Sequence, residues 1–107
     1  MTDAYVVASA LADYEAQEGD PHRAVQVYED LLDKVMAAKP EPLTDLRDAP
    51  RMSRLYESLA VLYRRTGETA QAKAMDMRRL DLWRQWDGKL PNNTFIRRQL
   101  ADSQSPR

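Results

Sequence analysis

One spacing recurs in this chain. Leu11 and Ala12, Gly19 and Ala24 are set at the same intervals as Leu59 and Ala60, Gly67 and Ala72, with 48 residues between equivalent positions. Apolar residues at helical spacing flank each of the two glycines, so each copy predicts two helices joined by a tight corner. Such a corner needs a small residue where the backbones cross and a Gly that can take positive φ. It also needs a second small residue early in the next helix. No stretch alternates over strand length, and the expected class is all-α.

The first helix is expected over about Asp3 to Gln17, ended by EGDP. Asp20 is suited to cap the second, with Pro21 at the first helical position, where a missing N–H costs nothing. That helix should reach about Ala38 and bury Ala24, Val27, Tyr28, Leu31, Leu32 and Val35. The segment KPEPLTDLRDAP is the main break, because Pro40, Pro42 and Pro50 do not fit inside a regular helix. A third helix over about Arg51 to Thr66 should bury Leu55, Leu59, Leu62 and Tyr63, and a fourth runs from about Glu68 to Trp86. After DGKLPNN, Asn92 or Asn93 can cap a short fifth helix holding Phe95, Ile96 and Leu100. The resulting organisation is one domain over 1–102. Hairpins at about 5–38 and 52–86 are separated by a linker at 39–50 and followed by a capping helix at about 93–101, with a disordered tail at 103–107.

Composition narrows the function. With 31% charged residues the chain holds no membrane span, and with no cysteine it has neither disulfides nor thiolate metal sites. The run AYVVASALA lacks a basic leader and makes a poor secretion signal. A net charge of −1 conceals an asymmetry: residues 1–50 balance at −7 and residues 51–107 at +6. The favoured reading is two solvated surfaces meeting within one fold, since surface charge alone gives little specificity. The sharper one is a surface that attracts an acidic partner, or the acidic half of another copy. The single histidine, His22, has no companions at ligand spacing. Glu29, Asp30 and Asp33 read as a solvated polar face, and no nucleophile–base arrangement is present. No catalytic, cofactor or metal site is expected, and the chain reads as a non-enzyme. Trp83 and Trp86 read as core under the fifth helix, with an aromatic binding shelf as the alternative.

The twin spacing resembles the tetratricopeptide repeat (TPR), over about Tyr5 to Met36 and Met52 to Trp86. The resemblance implies two antiparallel helix hairpins in a right-handed superhelix, closed by the short C-terminal helix. The 48-residue offset exceeds the family's usual ~34. Asp76 and Arg79 stand where the family packs apolar residues. They could pair with each other at the surface, a contact of small value. More narrowly, LDLWRQWD followed by LPNN resembles the C-terminal TPR ends attached to bacterial eukaryotic-like serine/threonine kinases. It implies an accessory part of such a signalling system, since kinase motifs are missing. A cytoplasmic location is then expected, or an extracytoplasmic one if the chain is attached to a membrane kinase.

Carried over residue by residue, the family's groove falls on Ser9, Asp13 and Gln17 in the first copy and on Arg54, Glu57, Arg64 and Arg65 in the second. The carboxylate-clamp residues of chaperone-binding members are missing, leaving an acidic spot at Asp13 and the arginines, suited to an acidic or mixed-charge peptide. The first helix has a second peculiarity. Tyr5, Val6, Val7 and Leu11 leave it too apolar for a terminal repeat, which implies a homodimer through this helix or a longer array. The expected function is a protein–protein interaction module acting on a protein or peptide partner. The rival from another class is a nucleic-acid-binding helical domain using the basic second half.

Overall fold

The computed structural model describes residue 14, residues 19–37 and residues 46–104. These form four α-helices: α1 (Pro21–Ala37), α2 (Asp48–Arg65), α3 (Thr69–Lys89) and α4 (Thr94–Gln104). No strand occurs among the described residues, so the all-α expectation holds. Of the first expected helix only Tyr14 is described, helical and exposed. Ser9, Asp13, Gln17, Tyr5, Val6, Val7 and Leu11 lie outside the described residues, as do most of the linker and the last three residues.

The local signals act as their chemistry requires. Asp20 caps α1: its Oδ1 accepts from the His22 backbone N–H at 2.9 Å, while its carbonyl accepts from Arg23 and Ala24. Gly67, at φ 81°, closes α2. Around it Glu68 N–H donates to the Tyr63 carbonyl and Gly67 N–H to that of Arg64. Those two bonds make a Schellman motif, which satisfies carbonyls that the helix end would otherwise leave open. LPNN is a turn followed by a cap. Asn93 N–H reaches back to the Leu90 carbonyl across Pro91 and Asn92, and Asn92 takes positive φ at 65°. Proline second and a left-handed residue third is the pattern of a type II turn. Asn93 Oδ1 then accepts from Ile96 N–H at 3.1 Å, so Asn93 is the cap and Asn92 the turn residue.

Two breakers are absorbed by helices. Pro50, expected in the break, is the third residue of α2, which begins at Asp48. There its absent N–H is one of the four that no preceding turn could accept. Gly88 lies inside α3, which continues three residues past Trp86 to Lys89. Likewise α4 extends through Ser103, which is buried, to Gln104.

Each helix packs principally on its chain neighbours, α1 on α2, α2 on α3 and α3 on α4. The contacts between α2 and α3 run in antiparallel register: Ser53 meets Arg79 and Trp83, Glu57 meets Arg79, and Arg64 meets Asp76. Ala60 of α2 and Ala72 of α3 are both buried, at 2% and 1% exposure. The core comprises Ala24, Val25, Tyr28 and Leu31 from α1, Met52, Leu55, Leu59, Leu62 and Tyr63 from α2, and Met75, Leu82, Trp83 and Trp86 from α3, with Ile96 from α4. Val27, Leu32 and Val35 are only partly buried, because the face of α1 centred on Ala24 and Tyr28 is the one that meets α2.

Candidate interaction surface

The seam between α2 and α3 is polar at its centre. Ser53 Oγ, on a residue 4% exposed, accepts from Trp83 Nε1 at 2.8 Å and from Arg79 Nε at 3.3 Å. Arg79 is itself buried, and its Nη1 lies 3.5 Å from Glu57 Oε2. The expected Asp76–Arg79 surface pair therefore does not form. Asp76 is bound by Arg64, in both a hydrogen bond and an ion pair, while Arg79 turns inward. An arginine at an apolar position is accommodated because its donors find acceptors on the opposing helix, whereas an unpaired one would be very costly there.

This pairing engages two of the groove residues expected from sequence, Glu57 and Arg64. Arg54, Glu57, Arg64 and Arg65 do share the outer side of α2, with Val61 exposed between them. They are not one basic cluster. Arg54 lies about 15 Å along the helix from Arg64, ten residues at 1.5 Å each. Glu57 is drawn to Arg79, and Arg64 is engaged by Asp76. The acidic side of the expected groove, Ser9, Asp13 and Gln17, is outside the described residues.

Trp83 and Trp86 are core, at 0% and 6% exposure, and thus form no shelf. Trp83 meets Phe95 edge to face at 5.9 Å between ring centres, and Lys89 Nζ lies 5.4 Å from the centre of the Trp86 ring. Phe95 leaves 42% of its surface exposed, so Ile96, fully buried, is the principal cover from α4. His22 is exposed, as expected. Glu29 departs from the solvated reading: its Oε2 accepts the Tyr63 hydroxyl at 2.6 Å, tying α1 to α2. Burial first, then this bond and the Glu29 charge, push the Tyr63 phenol far above its ordinary range. Burial also raises Tyr56, against the opposing charge of Arg78.

Sequence reasoning missed a groove on the outer side of α3. It encloses about 550 Å³ and is lined by Lys73, Met77, Leu80 and Arg84, with Ser103 and Gln104 of α4 as the facing wall. Met77 is 57% exposed and Leu80 half-buried. The available signal was that both fall off the buried stripe of Ala72, Met75, Leu82, Trp83 and Trp86.

Among the described residues no group of His, Asp or Glu is placed to hold a metal ion. Nor is any described helix long and apolar enough to cross a membrane. Comparison with protein-family models, curated proteins and solved structures found no match for this chain.

Proposed function

We propose that this chain is a non-catalytic protein–protein interaction module built of TPR-like helical hairpins, with its apolar N-terminal segment associating with a second copy. The observation that carries the reading is the corner at Gly67. Its positive φ and Schellman bonding, with Ala60 and Ala72 buried on the two helices it joins, use the residues that recur at Ala12, Gly19 and Ala24. Packing of each helix on its chain neighbours is also what stacked hairpins require. A bacterial kinase-linked context rests on the resemblance of residues 80–87 and 90–93 alone.

The nucleic-acid reading has less support. Arg64, Arg79 and Arg97 of the basic half are paired with Asp76, Glu57 and Asp87, so part of its positive charge is already met by carboxylates of the same chain.

Light scattering across a concentration series tests the proposal. The expected result is a dimer that Val7→Glu converts to a folded monomer. A wild-type monomer at every concentration, or a dimer indifferent to Val7→Glu, would overturn the self-association reading.

A further inference from the structure

The groove on α3 combines apolar surface with two cations and one carboxylate that is already engaged. Lys73, Met77, Leu80 and Arg84 follow one helical face, separated by four, three and four residues, over about 16 Å. The two apolar side chains form the middle and the two cations the ends. Neither Lys73 nor Arg84 has an ion-pair partner among the described residues. The one carboxylate lining the groove, Asp76, is held by Arg64 of α2. Ser103 is occupied as well, its hydroxyl donating to the Gln99 carbonyl at 2.8 Å. The groove thus presents an apolar centre with positive ends.

We infer that this groove docks an acidic amphipathic helix of a partner protein, two apolar side chains seated on Met77 and Leu80 and flanking carboxylates meeting Lys73 and Arg84. The spacing selects a helix: anchors three or four residues apart on one face are what a partner helix lays into an apolar groove. Charge complementarity selects an acidic one, steering encounter and fixing which way the helix lies. A nucleic acid would place phosphates against Met77 and Leu80 and leave that apolar centre unused. This surface is separate from the N-terminal segment invoked above, and the inference stands whether or not that segment self-associates.

The test uses the full chain carrying isotope-labelled methionine methyls. The probe is a synthetic helical peptide with two leucines three residues apart, each flanked four residues outward by glutamate. A control peptide carries lysine in place of glutamate. The Met77 methyl resonance should shift saturably with the acidic peptide while those of Met36 and Met52 do not. Affinity should fall about tenfold or more in the Lys73→Glu/Arg84→Glu double variant, and comparably with the lysine peptide. Both substitutions are at exposed positions, so an unchanged thermal midpoint would confirm that the fold is intact. No saturable Met77 shift, or an equal response to both peptides, would overturn the proposal. So would a Met77 shift that follows the protein's own concentration without peptide, because the occupant would then be a second copy.

Discussion

Trp83 Nε1 donates to Ser53 Oγ across the α2–α3 seam at 2.8 Å, and Arg79 Nε shares the same oxygen at 3.3 Å. One small hydroxyl thereby satisfies donors from two larger, buried side chains. Ser53→Ala removes the acceptor and leaves both donors without it in a buried seam. The expected loss is about 1–3 kcal/mol of stability, measured by urea denaturation. Ser58→Ala, on the partly exposed side of the same helix, should stay within about 0.5 kcal/mol. Equal small effects would show that the seam does not depend on Ser53.

Gly67 and Gly88 should respond in opposite directions. A methyl group at either meets nothing within 4 Å, so neither is held by crowding. Gly67 sits at φ 81°, where an L-residue is strained, whereas Gly88 is helical. Gly67→Ala should therefore cost about 1–2 kcal/mol, and Gly88→Ala should stabilise by about 0.5 kcal/mol. Thermal unfolding of the two variants side by side checks both signs.

The Tyr63–Glu29 bond predicts a pH dependence. The folded-state phenol is raised above its unfolded value, so its contribution is fully present below the ordinary phenol pKa of about 10. It is lost as pH rises from there through the folded value. At neutral pH, Tyr63→Phe should cost about 1 kcal/mol for the lost hydrogen bond. Above about pH 10 the gap to wild type should close, since the variant no longer carries this titration. Denaturant melts at neutral and alkaline pH measure it, and a gap that widened in alkali would contradict the assignment.

What the sequence revealed was local. Asp20 with Pro21, Gly67 and Asn93 are signals whose partners lie within a few residues, and each acts as its chemistry predicts. Pro50 and Gly88 misled because a breaker's effect depends on its position within a helix, and the ends of α2 and α3 could not be placed to within a turn. Arg79 was misread for a different reason. Its acceptors, Ser53 and Glu57, are 26 and 22 residues away along the chain and become neighbours only in the antiparallel register. The same register brought Arg64 to Asp76, 12 residues away. Met77 and Leu80 could be seen in the sequence as off the buried stripe of α3, but that they line a groove could not, because Ser103 and Gln104 of α4 form its facing wall.

The central claim is that the recurring Leu-Ala, Gly and Ala build the same hairpin twice. Methyl–methyl nuclear Overhauser contacts on an alanine-methyl-labelled chain test it most directly. Ala60 of α2 and Ala72 of α3, both buried, are the internal reference. The account predicts a cross-peak between Ala12 and Ala24 matching the one between Ala60 and Ala72. A clear Ala60–Ala72 contact with none between Ala12 and Ala24 would mean that the first copy shares the spacing without the hairpin, and the repeat reading would fail.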